Sequence, residues 1–247
     1  MPETIRVFIG FDPRQPVAYQ VLAHSIWARC SVPVSITRLT LSHFAPFTRR
    51  GLTEFTYSRF LVPWLSEYRG VSVFLDSDIL CLGDMAALVA LCTHEPVLEP
   101  RPQHRTATNT ERLSGPPAVW VVPHAGPRAF ERASMMVFNS SRCKTLTPEW
   151  VQNAANNPFV LESWAEKVAP LPPEWNHLVG YDALNPAAKL VHYTMGIPCW
   201  PETRDCEFST QWQAEAKATV SSVDYQTLMG KSVHNKHVQA GVLQGTT

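Results

Sequence analysis

The sequence predicts an α/β fold: a mixed, mainly parallel sheet flanked by helices. Two observations carry this. Strand-like and helix-like segments alternate over the first third of the chain, and that order implies parallel pairs joined by helical crossovers. In Val71-Ser-Val-Phe-Leu-Asp-Ser-Asp-Ile-Leu80 a β-branched and aromatic run, preceded by Gly70, flows into two aspartates, Asp76 and Asp78. It reads as a buried strand carrying two carboxylates at its carboxyl end.

The elements follow in order. Ile5-Arg-Val-Phe-Ile-Gly-Phe11 is a first strand, and Asp12-Pro-Arg-Gln-Pro16 turns into a helix. Pro16 suits an early helical position, where no backbone N–H is needed, and residues 17–28 continue it. Residues 34–39 alternate apolar and polar, as a half-buried strand does. Residues 56–65 read as a helix whose end Pro63 limits. Asp84 is placed to cap a helix from Met85 to about Cys92. Residues 100–117 are polar and turn-rich, a candidate loop over a site. Residues 119–122 and 135–138 are short strands, and Thr147-Pro148 caps a helix opening at Glu149. Leu171-Pro-Pro-Glu-Trp-Asn176 is extended by its prolines, and residues 189–192 form a last short strand. Residues 210–220 form a terminal helix, with a frayed end from Gly230. One domain over residues 1–206, then a C-terminal helix and tail over 207–247, is the expected organisation.

Composition narrows the function. The chain has 247 residues, 45% of them hydrophobic, and a formal net charge of zero. This argues against a general nucleic-acid or membrane-surface role. No run approaches the roughly 18–20 apolar residues of a membrane span. The start, Met-Pro-Glu-Thr, lacks the features of a signal peptide. The six cysteines show no C-x-x-C spacing, which fits reduced thiols in a cytoplasmic protein.

Asp76 and Asp78 are where chemistry is expected. Two carboxylates at the end of a buried strand need a positive partner. A divalent cation carrying a phosphorylated ligand supplies one, because hard metals take oxygen ligands and share them with phosphates. Strand ends of open α/β sheets are also where ligands bind. An isolated D-x-D is otherwise a pair of solvated loop acids.

Four segments then stand in order: Tyr57-Ser-Arg-Phe-Leu; Val73-Phe-Leu-Asp-Ser-Asp-Ile-Leu-Cys-Leu-Gly-Asp84; Leu171-Pro-Pro-Glu-Trp-Asn176; and Val191-His-Tyr-Thr-Met-Gly-Ile-Pro198. Their order and spacing resemble glycosyltransferase family 8 over roughly residues 5 to 206. The resemblance implies the GT-A nucleotide-diphospho-sugar transferase fold. It also implies Mn2+ (or Mg2+), a nucleotide-sugar donor, most simply a UDP-sugar, and transfer of a hexose with retention to an unidentified glycan or other hydroxyl acceptor. Asp76 and Asp78 match the family's metal-binding D-x-D, with Ser77 between them, and His192 matches its late histidine. Tyr57 and Arg59 match Y-x-R, and the arginine would meet the donor diphosphate or form a helix-surface ion pair. Phe11 and Asp12 lie where base and ribose are received, although Asp12 also suits a simple turn before Pro13. Phe138-Asn139-Ser140 resembles F-N-S, which would put Asn139 beside donor and acceptor.

Two departures bear on activity. The family's H-x-x-G-x-x-K-P-W reads His192-Tyr-Thr-Met-Gly196-Ile-Pro198-Cys-Trp200, so the lysine is missing and Arg59 or Lys189 would have to supply the charge. The family's D-Q-D falls near Asn156-Asn157-Pro158, which leaves Asn157 to orient the sugar as an amide. Without a carboxylate there, a front-face route is expected, in which the leaving phosphate helps deprotonate the acceptor. The alternative reading is a catalytically degenerate protein that binds nucleotide sugar or glycan. A nucleotidyltransferase would need a glycine-rich, basic phosphate loop after the first strand, and Asp12-Pro-Arg-Gln-Pro16 is not one.

Overall fold

The computed structural model describes residues 4–93 and 115–219. Within them, the central sheet has the order β2-β1-β3-β6-β5-β7. β1 (Ile5–Gly10) lies between β2 (Val34–Leu39) and β3 (Val71–Leu75), parallel to both. The helix α1 (Pro16–Arg29) makes the first crossover, opening with Pro16 as expected. β3 then pairs antiparallel with β6 (Met135–Asn139), and β6 antiparallel with β5 (Val119–Val121). β5 and the edge strand β7 (Val168–Pro170) are parallel. The sheet is therefore mixed and mainly parallel, and its direction reverses beside the strand that carries Asp76.

Both faces of this sheet are covered. Phe8, Phe74 and Phe138 enter one core cluster with Phe60 and Trp164. Val7, Ile9, Val73, Leu75 and Val137 enter another with Leu22 and Ile26 of α1. A strand buried on both faces has no polar side to alternate, which explains why β3 is apolar but for Ser72, whose hydroxyl pairs with Ser66 and Ser140.

A second, three-stranded sheet orders β4 (Ile79–Cys81), β9 (Leu190–His192) and β8 (His177–Leu178) as β4-β9-β8. The run over residues 71–80 thus feeds two sheets, with Asp76, Ser77 and Asp78 at the turn between them. Ile79 pairs opposite His192, which brings the late histidine to the D-x-D turn.

Some local expectations are corrected. Residues 58–61 form a 3-10 turn, and α2 (Val62–Leu65) begins around Pro63, so this proline opens a helix instead of limiting one. Pro173–Trp175 is a 3-10 turn inside the segment expected to be extended. Asp84 does cap α3 (Met85–Thr93), accepting from the Ala86 N–H at 2.9 Å. Thr147 likewise caps α4 (Pro148–Gln152) through the Trp150 N–H at 3.2 Å. The terminal helix α5 (Ser209–Thr219) packs on α1, with Trp212 buried beside Ala18 and Val21. The loop expected at 100–117 lies outside the described residues up to 114, as does the tail from 220.

Candidate metal and donor site

The site gathers at one end of the central sheet, where β3 ends, β6 begins and β9 ends. Asp76, Asp78 and His192 each offer a ligand atom, and these atoms lie within 4.8 Å of one another. His192 is 2% exposed, with Nε2 3.3 Å from Asp78 Oδ1. Burial pulls the His192 imidazole down, but Asp78 beside it outweighs this and holds the ring above its ordinary value. Burial pushes the Asp76 carboxyl up to about 7, against the opposing pull of Arg59.

Arg59 does not lie on a helix surface, as one expectation had it. It is 7% exposed, and its guanidinium pairs with Asp76 itself at 3.0 Å. Nη1 also donates to Asp76 Oδ2 at 3.2 Å and to the Ala133 carbonyl at 2.8 Å, and Nε donates to the Thr56 carbonyl at 3.1 Å. The rings of Phe74 and Phe55 stand 5.0 and 5.4 Å from the guanidinium. Arg59 is thus a buried counter-charge that fixes the first aspartate.

The turn before β6 completes the wall. Asp76 donates its backbone N–H to the Ser134 carbonyl at 2.8 Å. Ser134 Oγ donates to the Glu131 carbonyl at 2.6 Å. The amide nitrogen of Asn176, a fully buried residue, lies 3.0 Å from Ser134 Oγ, 3.2 Å from the Glu131 carbonyl and 3.2 Å from His124 Nε2. Glu131 is 6% exposed and directs Oε2 toward His192 Nδ1 at 3.8 Å. Burial pushes its carboxyl up, while His192 pulls the other way.

The remaining candidates are placed as follows. Ser77 is buried between the two acids. Gly196 has φ +117°, in the region that favours glycine, and a Cβ there would meet the Trp200 ring at 3.2 Å. Phe11 stands edge-on to Tyr19 at 5.7 Å, with the Arg38 guanidinium 4.5 Å above its ring. Asp12 is held by Arg14, whose Nη2 lies 2.5 Å from Oδ2, and that hydrogen bonding keeps its carboxyl below the usual range. Tyr57 stacks under Arg49 at 3.9 Å and meets Phe159, making no recorded contact with the acids. Asn157 is exposed, its Oδ1 accepting from the Phe159 N–H at 3.2 Å. Phe159 in turn stands 5.7 Å from the Arg59 guanidinium. Asn139 is not beside the acids. It pairs with Val71 at the opposite end of β3, about 16 Å away at the usual strand rise. Because β6 runs antiparallel to β3, its start reaches Asp76 and its end does not.

Nothing local in the sequence marks Glu131, Ser134 or His124. Only Asn176 had a signal, in the tryptophan-asparagine pair already singled out.

The three candidate ligands fit a hard divalent cation. Asp76 Oδ1 is buried and accepts no hydrogen bond among the described residues, with Arg59 Nη1 3.0 Å away. Arg59 alone leaves the cluster short of positive charge.

No protein-family model matches the chain. It is 34% identical to Protein CDI of Arabidopsis thaliana over 226 residues, 85% of each chain. Among solved structures it is similar to the galactosyltransferase LgtC in complex with donor and acceptor sugar analogs. The TM-score is 0.56 at 12% identity, over 90% of this chain and 98% of that one. It is also similar to the apo bifunctional glycosyltransferase WbbM, with TM-score 0.57 at 15% identity over 97% of this chain. The chain spans about half of WbbM, 52% of its length. The glycosyltransferase GlyE of Streptococcus pneumoniae gives TM-score 0.56 at 13% identity, over 98% of this chain and 66% of that one. At such identities the likeness establishes the fold, which is GT-A.

Proposed function

Since the chain belongs to the family of Arabidopsis Protein CDI and has the GT-A fold, we propose that it is a metal-dependent glycosyltransferase. In this reading it moves a hexose from a nucleotide sugar, a UDP-sugar, to a hydroxyl acceptor with retention. The observation that carries the reading is the convergence of Asp76, Asp78 and His192 at the reversal point of the sheet.

Asp76, Asp78 and His192 would hold Mn2+ or Mg2+. When bound, such a cation neutralises the charge that develops on a departing diphosphate. Arg59 pairs with Asp76 beside the site and opposes the rise that burial gives its carboxyl. Ser77 and Gly196 let backbone approach the donor on either side, and Phe11 with Asp12 receives base and ribose at the end of β1. Asn157 belongs to the donor-sugar side, reached through Phe159. Asn139, at the far end of β6, has no part in it. Glu162 is engaged by Arg132 at 2.9 Å and is mostly exposed, so it is no poised nucleophile. The front-face route, in which the leaving phosphate takes the acceptor proton, therefore remains the reading. The six unpaired thiols support a reducing, cytoplasmic setting. No helix among the described residues is long and apolar enough to cross a membrane.

Thermal-shift screening of nucleotide sugars with and without Mn2+ tests the reading. A ligand of the folded state raises the melting point by mass action. A UDP-sugar is expected to do so only with metal present, and Asp78→Ala should abolish the effect while leaving the metal-free melting point nearly unchanged. Equal stabilisation in EDTA, or a normal response from Asp78→Ala, would sink the assignment. Where transfer is found, NMR coupling constants of the product report its anomeric configuration, and inversion would refute retention. The amides at Asn156 and Asn157 favour a second reading, a binder without turnover. Metal-dependent binding with no UDP release in any acceptor mixture would select it.

A further inference from the structure

A histidine ligand needs its second ring nitrogen settled as firmly as the first. His192 Nε2 faces Asp78 Oδ1 at 3.3 Å, so this nitrogen belongs to the candidate metal side. Nδ1 faces Glu131 instead, is buried, and has no hydrogen-bond partner among the described residues. Buried polar nitrogens in native proteins are almost always paired. The one acidic oxygen recorded against Nδ1 among the described residues is Glu131 Oε2, at 3.8 Å.

Glu131 is not held loosely. Its carbonyl takes hydrogen bonds from Ser134 Oγ at 2.6 Å and from the Asn176 amide at 3.2 Å. The next turn is pinned by Asp76 N–H on the Ser134 carbonyl and by Arg59 on the Ala133 carbonyl, each at 2.8 Å. The same strut therefore positions Asp76 and aims the Glu131 carboxylate at the far side of the histidine. Arg128 Nη1, 3.7 Å from Glu131 Oε1, steadies the other carboxylate oxygen.

We propose that Glu131 is a positioning residue for the metal site, accepting a hydrogen bond from His192 Nδ1–H so that Nε2 is presented bare to the cation. The inference rests on the metal-site reading given above. Closing 3.8 Å to hydrogen-bond distance takes a side-chain shift of about 1 Å. Carboxylate partners of metal-bound histidines fix the tautomer and raise ligand basicity, and removing them lowers metal affinity about 10- to 100-fold. Nothing in the sequence around Glu131 announces this role, because its partner is brought from β9 by the pairing of Ile79 with His192.

The test uses the full chain, with Mn2+ titrated calorimetrically and the tautomer of His192 read by 15N NMR in the protein loaded with diamagnetic Zn2+. Glu131→Ala is expected to lower Mn2+ affinity about 10- to 100-fold. Glu131→Gln, whose amide oxygen still accepts, should recover most of that loss. In the Zn2+-loaded wild type, Nδ1 should carry the proton with a downfield, hydrogen-bonded signal that Glu131→Ala removes and Glu131→Gln retains. Melting points of the metal-free variants separate a folding defect from a binding one. Unchanged Mn2+ affinity in Glu131→Ala, with a wild type that does bind, overturns the positioning role alone. Loss in Glu131→Gln as severe as in Glu131→Ala, with both variants folded, also overturns it. A wild type that binds no divalent cation overturns the metal-site reading itself, and the positioning role falls with it.

Discussion

Arg59 and Asp76 form the residue pair on which the site depends. The two side chains are 8% and 14% exposed, and removing one member of a buried pair typically costs about 3–5 kcal/mol. Arg59→Ala is expected to lose stability on that scale in urea unfolding with EDTA present. The double variant with Asp76→Asn should lose less than the sum of the two single changes. A loss below about 1 kcal/mol for Arg59→Ala would mean that Asp76 needs no partner, against the burial it shows. The sequence already marked Asp76, Asp78 and His192, because a linked acid pair and a late histidine form an ordered motif. It could not mark Glu131, whose meaning comes only from what folding sets beside it. It misplaced Asn139 because the direction of β6 decides which end of that strand meets the acids, and direction is not written in a five-residue apolar run.

At the scale of elements, the contact between α1 and α5 is the clearest separate case. Glu215 of α5 is 6% exposed and receives Arg29 at 2.7 Å and His24 in close contact. Burial raises its carboxyl, but the hydrogen bonds from Arg29 and His24 outweigh this and bring it below the ordinary value of 4.5. A depressed carboxyl stabilises the fold above its unfolded value and loses that contribution as pH falls through the folded one. Stability from this contact should therefore persist at neutral pH and decline below about pH 4.5. Glu215→Gln should lower the neutral melting point by an amount equivalent to about 1–3 kcal/mol and flatten the acid limb. Identical acid limbs in the variant and the wild type would refute it. The long elements were legible: α1, β1, β2, β3 and α3 follow from periodicity, caps and Pro16. β7 and β8 were not, and β4 was merged with β3, because the turn at Asp76–Asp78 that divides the run between two sheets is set by packing. Pro63 was read as a stop because an interior proline breaks a helix, whereas here the preceding turn is 3-10 and the α-helix starts with it.

Over the whole molecule, function follows from one topological event. The sheet runs parallel through β2, β1 and β3, then reverses at β6, so those three strands end where β6 begins, at one end of the sheet. The second sheet adds β9 to the same place, bringing His192 to Asp78 across more than a hundred residues of sequence. The α/β class and the metal triad could be anticipated, since both rest on local patterns taken in order. The wall formed by Glu131, Ser134, Asn176 and His124 could not, because it exists only where separate segments pack together. The most direct test of the metal centre is anomalous diffraction at the manganese edge from crystals grown with Mn2+ and UDP. One strong peak is expected at about 2–2.5 Å from carboxylate oxygens of Asp76 and Asp78 and from His192 Nε2. A peak elsewhere, or none at these three residues with UDP bound, would contradict the central claim.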